Sequence, residues 1–420
     1  MHADSGRLVT AVVTWRGEHL GAVGPFPVAT PWRHDVRPVA AHLSAVLRVP
    51  VLVLRLVRAE GGDGDRGGSV TYHAEALRRP DGREFGATPA GAAGRPEPDG
   101  HPLRAAWATP DGLRAALDWA RRELAGAGRP PAGDPEQIRS WNLSCLLRIP
   151  ITGGAAWLKT TPAFGAPEAE VCRAVAAVDE GLVPAVLAAG RYRLLLADVP
   201  GEDCWGVPED AMLDAVDRWA AVQARLAGPP EHRGRSGAPD LPDRSPATLP
   251  RRAERLLASG AVTELTADEL ARAHHLVGRL PALVEELAAC GLPHTLLHGD
   301  FHPGNWRHHD GRTVVLDFSD ACHGHPAFDG LRPRAFLPER RWADVRARWV
   351  AAWSALAPGS DPARALELAR PLLHLHLALR YQEFLDGIEP GERIYHAGDP
   401  AAEIRAALAA SVGGGEPPEA

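Results

Sequence analysis

The sequence predicts an α+β chain with a small α/β N-terminal domain, then a small β-rich lobe, then a helical lobe. Three observations predict it. Residues 1 to about 125 alternate strand-like and helical runs. Residues 136–199 carry a hairpin pattern, a helix and a further strand. Residues 200–411 are mostly helical, with two short strands embedded.

In the first part, "LVTAVVTW", "VPVLVLRLV" and "SVTYHAEAL" read as strands, being runs of strand length bounded by turn residues. "VRPVAAHLSAVL" and "GLRAALDWARRELAGAG" read as helices. "AEGGDGDRGG" and "GATPAGAAGRPEPDGHP" read as loops. This rhythm is similar to that of Nudix domains, but their glutamate-rich helix is absent, and the role of residues 1–130 stays open. "RPPAGDPEQ" marks a boundary. Beyond it, "SCLLRIPI" and "AAWLKTT" form a hairpin around Thr152-Gly153-Gly154. "APEAEVCRAVAAVDEG" is a helix and "RYRLLLADV" a strand. Four helical runs follow: "EDAMLDAVDRWAAVQARLAG", "RRAERLLASG", "ADELARAHHLVGRLPALVEELAACG" and "DPARALELARPLLHLHLALRYQEFLDG". The acidic end of the last, Glu383 and Asp386, reads as a solvated face, with a face toward a cationic substrate as the alternative. "HTLLHGD" and "RTVVLDFSD" are the embedded strands. Residues 228–250 read as a long loop and 412–420 as a disordered tail.

Composition narrows the function. A hydrophobic share of 45% with 24% charged residues is that of a soluble globular protein. A net charge of −7 provides no basic face for nucleic acid or an anionic membrane. The N-terminus lacks a signal-peptide layout, and no apolar run approaches the roughly 20 residues that span a bilayer. Five scattered cysteines with no CxxC argue against a disulfide framework or a structural zinc site, and a cytoplasmic location is expected.

Of 46 basic residues only Lys159 is lysine, and asparagine occurs only at Asn142 and Asn305. Both amino acids have A-rich codons, so a GC-rich genome explains the bias. Arginine replaces lysine where charge alone suffices, but not where a compact ammonium is needed. Lys159 is therefore a candidate for special chemistry.

"LLHGDFHPGNW" (residues 296–306) concentrates further candidates. Pro303-Gly304 cannot continue a helix, so this is a loop after a strand. It presents His298, Asp300 and Asn305 as H-x-D-x-x-x-x-N, and Asp317 ends the strand "VVLD" twelve residues after Asn305. His298 and His302 have the i, i+4 spacing of a zinc pair, but that spacing counts only on a helix.

The loop and the aspartate after it resemble the catalytic loop and D-F-G of protein kinases. "HGDFHPGN" followed by "VVLDFSDACHGHPAFDGL" is more similar to the aminoglycoside phosphotransferase and choline kinase family, over about residues 138 to 410. The resemblance implies a bilobal protein-kinase-like fold, with residues 136–199 as the small lobe and 200–411 as the large one. It implies an ATP- and Mg²⁺-dependent phosphotransferase (ATP or another nucleoside triphosphate) acting on a hydroxyl of a small molecule, an antibiotic or a metabolite.

By the same resemblance, Asp300 is the catalytic base, and Asn305 and Asp317 are the Mg²⁺ ligands. His298 and Asp329 support the loop. Lys159 binds the phosphates, with Glu168 or, alternatively, Glu170 holding it. Asn142 and Ser144 stand in the loop that cups the phosphates, where "RSWNLS" lacks the family glycine. The adenine edge meets the backbone of Ala197 and Val199. Phe318-Ser319-Asp320 replaces Phe-Gly, which implies no D-F-G switch. Two rival readings are a nucleotide-binding pseudokinase or scaffold, and a zinc-dependent hydrolase. The acceptor and the oligomeric state are open.

Overall fold

Apolar runs become strands in the first of two units, which comprises Met1–Gly165, Val186–Asp198 and Phe384–Ala397. The computed structural model describes residues 6–81, 85, 100–206, 209–228, 239–259 and 262–412. Much of the two expected loops (86–99 and 229–238) and the tail (413–420) lie outside the described residues.

The first sheet has the order β2-β1-β4-β3, from β1 (Arg7–Trp15), β2 (Glu18–Val28), β3 (Val51–Glu60) and β4 (Gly68–Ala76). Only the β1–β4 pair is parallel. Helix α1 (Arg37–Leu47) lays Val39 and Leu43 on a core with Val9, Val53, Leu56 and Tyr72. The sequence reading missed β2. Its Gly21, Gly24 and Pro25 look like breakers, but an edge strand tolerates proline, and bulges interrupt its register with β1.

The second sheet has the order β5-β6-β7-β9-β8, from β5 (Glu136–Trp141), β6 (Ser144–Ile151), β7 (Gly154–Thr160), β8 (Val186–Gly190) and β9 (Arg193–Ala197). The expected hairpin is β6–β7, turning at Gly153 with φ +83°. Helix α2 (Pro110–Gly126) starts where the Thr109 hydroxyl accepts the Gly112 N–H. Its Leu113, Leu117 and Leu124 pack with Leu147, Ile149, Leu158 and Leu195, and also with Leu52 and Leu54 of β3. Gln137 gives one rung between the sheets, accepting from the Val53 N–H and donating to the Val53 carbonyl, both at 2.7 Å. The boundary expected near residue 130 thus runs inside this unit.

A late segment returns to the same unit. Tyr395 enters the first sheet's core. Glu389 takes the Arg104 guanidinium at 2.9 Å and lies 3.7 Å from Arg55.

The second unit comprises Ala166–Ala185, Val199–Glu383 and Gly398–Ala420. Its helices are α3 (Glu168–Ala176), α4 (Glu209–Arg225), α5 (Leu249–Ala258), α6 (Ala267–Ala289), α7 (Ala327–Leu331), α8 (Glu339–Leu356), most of α9 (Pro362–Gly387) and α10 (Asp399–Val412). A reciprocal Thr266–Glu269 capping box opens α6. The embedded strands are β11 (Thr295–Leu297), paired with β14 (Cys322–Gly324), and the hairpin β12 (Trp306–His309) with β13 (Arg312–Val315), which β10 (Glu202–Asp203) extends. Among the described residues, no helix is long and apolar enough to cross a membrane.

Candidate active site

Strand β11 ends at Leu297, and the chain turns away through His298, Gly299 and Asp300. Gly299 has φ +85°, and a Cβ there would lie 2.3 Å from the Asp320 carbonyl oxygen, so the loop requires glycine. The Asp329 carboxylate on α7 pins this turn. It accepts the backbone N–H of His298 (2.8 Å) and Gly299 (3.0 Å), and the side-chain N–H of Trp219 and Gln223 (2.9 Å each). Burial pushes the Asp329 carboxyl up, while the adjacent His298 and these bonds favour its charged form.

His298 is fully buried. Its Nδ1 accepts the Asp300 N–H (3.1 Å), which leaves Nε2 to donate to the Leu316 carbonyl (2.9 Å). One imidazole thus ties the loop to the end of the β13 segment.

Asp300 is held on both oxygens. Oδ1 accepts from Arg332 Nε at 2.8 Å. Oδ2 accepts from Asn305 Nδ2 at 3.1 Å and from His302 Nε2 at 3.2 Å, with His302 Nδ1 taken by the Gly304 N–H. The His302 ring stacks on Phe336, centroids 4.1 Å apart. Burial alone would raise the Asp300 carboxyl, but Arg332 and the two histidines outweigh it and hold it well below the usual carboxylate range. Asn305 Nδ2 also donates to the Asp300 carbonyl at 2.9 Å.

Asp317 has φ +65°, a left-handed conformation uncommon for non-glycine residues, though aspartate and asparagine adopt it more often than most. Its Oδ1 accepts from the Ser319 hydroxyl at 2.6 Å. The next residue, Phe318, is buried against His298 and Trp219. Its backbone N–H donates to Glu168 Oε1 at 3.1 Å. Glu168 opens α3 and is 4% exposed, whereas Glu170 is exposed. Asp300, Asn305 and Asp317 are therefore set by one connected scaffold within the second unit.

In the first unit, Lys159 lies on β7 between Leu146 and Leu194 of the flanking strands and is 5% exposed. Ala197 ends β9 opposite Ala156. Val199 follows as the first residue of the second unit's next segment. Asn142 and Ser144 are both buried at the β5–β6 turn, where the Ser144 hydroxyl accepts the Trp141 indole N–H at 3.1 Å.

Sequence reasoning missed Arg332. It is one of 45 arginines and carries no distinguishing signal. His302 showed only the zinc-like spacing, and it lies in a loop ahead of the 3-10 turn Pro303–Asn305. Among the described residues, no group of three or more histidine, cysteine, aspartate or glutamate side chains is arranged to hold a metal ion. The expected solvated face at Glu383 is an ion-pair hub, with Arg252 at 2.5 Å, Arg244 at 2.7 Å and Arg380 at 3.0 Å.

Residues 158–368, half of the chain, match the phosphotransferase enzyme family, APH. The chain belongs to this family. A choline kinase from Cryptosporidium parvum Iowa II shares the phosphotransferase's fold at 11% identity and a TM-score of 0.51, over 71% of this chain and 95% of the other. Two further similar structures are a macrolide 2'-phosphotransferase type I and a macrolide 2'-phosphotransferase from Brachybacterium faecium. The first is 18% identical, TM-score 0.49, over 69% of this chain and 96% of that one. The second is 21% identical, TM-score 0.42, over 72% and 100%. No curated protein matches the phosphotransferase in sequence. The expected protein-kinase-like α+β class is the class found.

Proposed function

We propose that this phosphotransferase moves the terminal phosphoryl group of ATP, or of another nucleoside triphosphate, to a hydroxyl of a small molecule. The observation that carries this reading is the joint anchoring of Asp300 and Asn305, with Asp317 held beside them in the same scaffold. A carboxylate as acidic as Asp300 does not strip an alcohol of its proton in advance. It orients the hydroxyl and takes the proton as the bond to phosphorus forms. Arg332 and His302 keep that carboxylate charged and aimed.

Asn305 and Asp317 fit a Mg²⁺ site, since both offer hard oxygen donors. The Asn305 amide nitrogen is committed to Asp300, which turns the amide oxygen to the role of ligand. Bound Mg²⁺ would draw charge from the phosphate oxygens. Lys159 supplies the ammonium for the phosphates. Glu168, or alternatively Glu170, is the acid for holding it. The carbonyl of Ala197 and the N–H of Val199 read the base. His298 and Asp329 hold the loop in place. All five cysteines are buried thiols outside any disulfide, which supports a reducing compartment such as the cytoplasm.

The test is Asp300→Ala with a screen of hydroxylated metabolites and antibiotics for a gained phosphoryl group. Wild type should modify at least one acceptor, and the variant should bind ATP without transfer. Full transfer by the variant removes Asp300 from its role. Nucleotide binding by wild type without turnover on any alcohol points instead to a scaffold.

A further inference from the structure

On the face of the second sheet that packs against α2, Leu158 of β7 and Leu195 of β9 are register partners in the core. Two residues along on the same face stand another pair of partners, Thr160 and Arg193. Two leucines here would continue the core. Instead a cavity of about 530 Å³ opens within the first unit, a volume that takes a small organic molecule. Thr160 and Arg193 line it, together with Gly112 and Ala116 of α2, which are too small to fill it. Lys159, whose side chain takes the other face of β7, does not line it.

The wall combines two chemistries. Leu103, Trp107, Phe164, Tyr192 and Ile388 give it apolar and aromatic surface. Leu103 and Tyr192 stay exposed, so this surface is open to solvent. The second chemistry is positive charge. Of the four charged residues on the wall, Arg104 is taken by Glu389 at 2.9 Å. Burial, with the neighbouring Glu389, pushes the Glu392 carboxyl up to about 8, so at neutral pH it is uncharged. Arg191 and Arg193 remain. Arg191 is exposed in the β8–β9 turn, where it donates to the Tyr192 hydroxyl at 3.2 Å. Arg193 is half-buried, its guanidinium 4.7 Å from the Trp119 ring centroid. Its Nε is closed off without a partner, and its Nη groups are not. Among the described residues, neither arginine lies within 4 Å of a carboxylate. Burial and the neighbouring Arg122 push the Arg193 guanidinium down from its ordinary value, and Glu123 opposes them only in part. A half-buried guanidinium without a counter-charge is costly, and an anion from outside relieves that cost.

We propose that this cavity binds a small organic anion, its carboxylate or phosphate head held by Arg191 and Arg193 and its flat apolar body laid on the aromatic wall. The two arginines stand two residues apart, at most about 7 Å along the chain, close enough to share one head group. A guanidinium fork suits either oxyanion, because two parallel N–H groups meet two oxygens. Trp107, Phe164 and Tyr192 supply the surface for the body.

Ligand-observed NMR on the full chain tests this, with benzoate, phenyl phosphate and benzyl alcohol as probes. At least one of the two anions should bind wild type, and the better of them identifies the head group. Benzyl alcohol, with the same ring and no charge, should bind about tenfold or more weakly. The double variant Arg191→Met, Arg193→Met should weaken the preferred anion by a similar factor. The proposal is overturned if neither anion binds wild type, or if benzyl alcohol binds as well as the anions. Undiminished binding of the anion to the folded double variant overturns it as well. Should that variant fail to fold, Arg191→Met, which changes only an exposed turn, takes its place with the same criterion.

Discussion

Replacing Arg332 by methionine removes the guanidinium from Asp300 while keeping most of the side chain's apolar length. The bond lost is Nε to Oδ1 at 2.8 Å, between side chains 13% and 30% exposed. Breaking a fully buried pair costs about 3–5 kcal/mol, and an exposed pair contributes about 0–1 kcal/mol. This pair stands between those limits. His302 and Asn305 stay on Oδ2, so the expected loss is about 2 kcal/mol at pH 7. The pH dependence has a definite sign. Burial raises the Asp300 carboxyl, Arg332 and the histidines lower it more, and the folded value lies below the unfolded one. The stabilisation is therefore complete well above pH ~4 and is lost as pH falls toward the folded value. In Arg332→Met the main lowering charge is gone, so the two proteins should begin to converge as pH falls below about 4. Urea unfolding followed by tryptophan fluorescence at pH 7, 5 and 3.5 reads both effects. Equal midpoints at pH 7, or a difference that stays constant down to pH 3.5, refutes the reasoning.

Three other outcomes follow from the same physics. Lys159→Arg keeps the charge but replaces a compact ammonium with a planar fork in a buried strand position, so kcat/KM for the nucleotide should fall by about tenfold or more; near-normal affinity and turnover would sink the phosphate role. Asp329→Asn keeps the volume but sets an NH₂ among four N–H donors, and should cost about 2–4 kcal/mol in thermal unfolding; an unchanged melting temperature would show that the donors do not need the charge. Glu392→Gln tests a raised carboxyl. The folded value of about 8 lies above the ordinary 4.5, so stability falls as pH rises between them, by at most about 1.4 kcal/mol per pH unit. The variant should thus gain on wild type from pH 5 to pH 8 in urea unfolding, and a flat difference would contradict the shift.

The elements that sequence reasoning found are those with local signals. Helices α2, α4 and α6 carry an apolar stripe, and β3 is a nearly unbroken apolar run. The elements it missed depend on distant partners. Strand β2 holds its glycines and proline because it is an edge, and edge status is a property of the assembled sheet. Gln137 is an ordinary glutamine until it meets Val53, 84 residues away in sequence. Phe384–Ala397 returns to the first unit because Arg104 and Arg55 meet Glu389 there, and no local pattern announces such a return.

The site shows how far scarcity can be read. In a chain that uses arginine 45 times, Lys159, Asn142 and Asn305 stand out by rarity alone, and all three side chains lie in special places. Rarity reports that a residue is constrained, not what constrains it. Asn305 fits the catalytic reading, because its amide nitrogen fastens the Asp300 carboxylate while its oxygen stays a ligand. Asn142, with the same side chain and the same scarcity, lies buried with both amide atoms vacant beside aromatic residues. An amide offers a donor and an acceptor on separate atoms side by side, which neither arginine nor a charged aspartate can do, and serine offers both only from a single oxygen. That pairing of opposite functions explains why asparagine persists at Asn305, and it predicts that aspartate would fail there through the loss of the N–H donor.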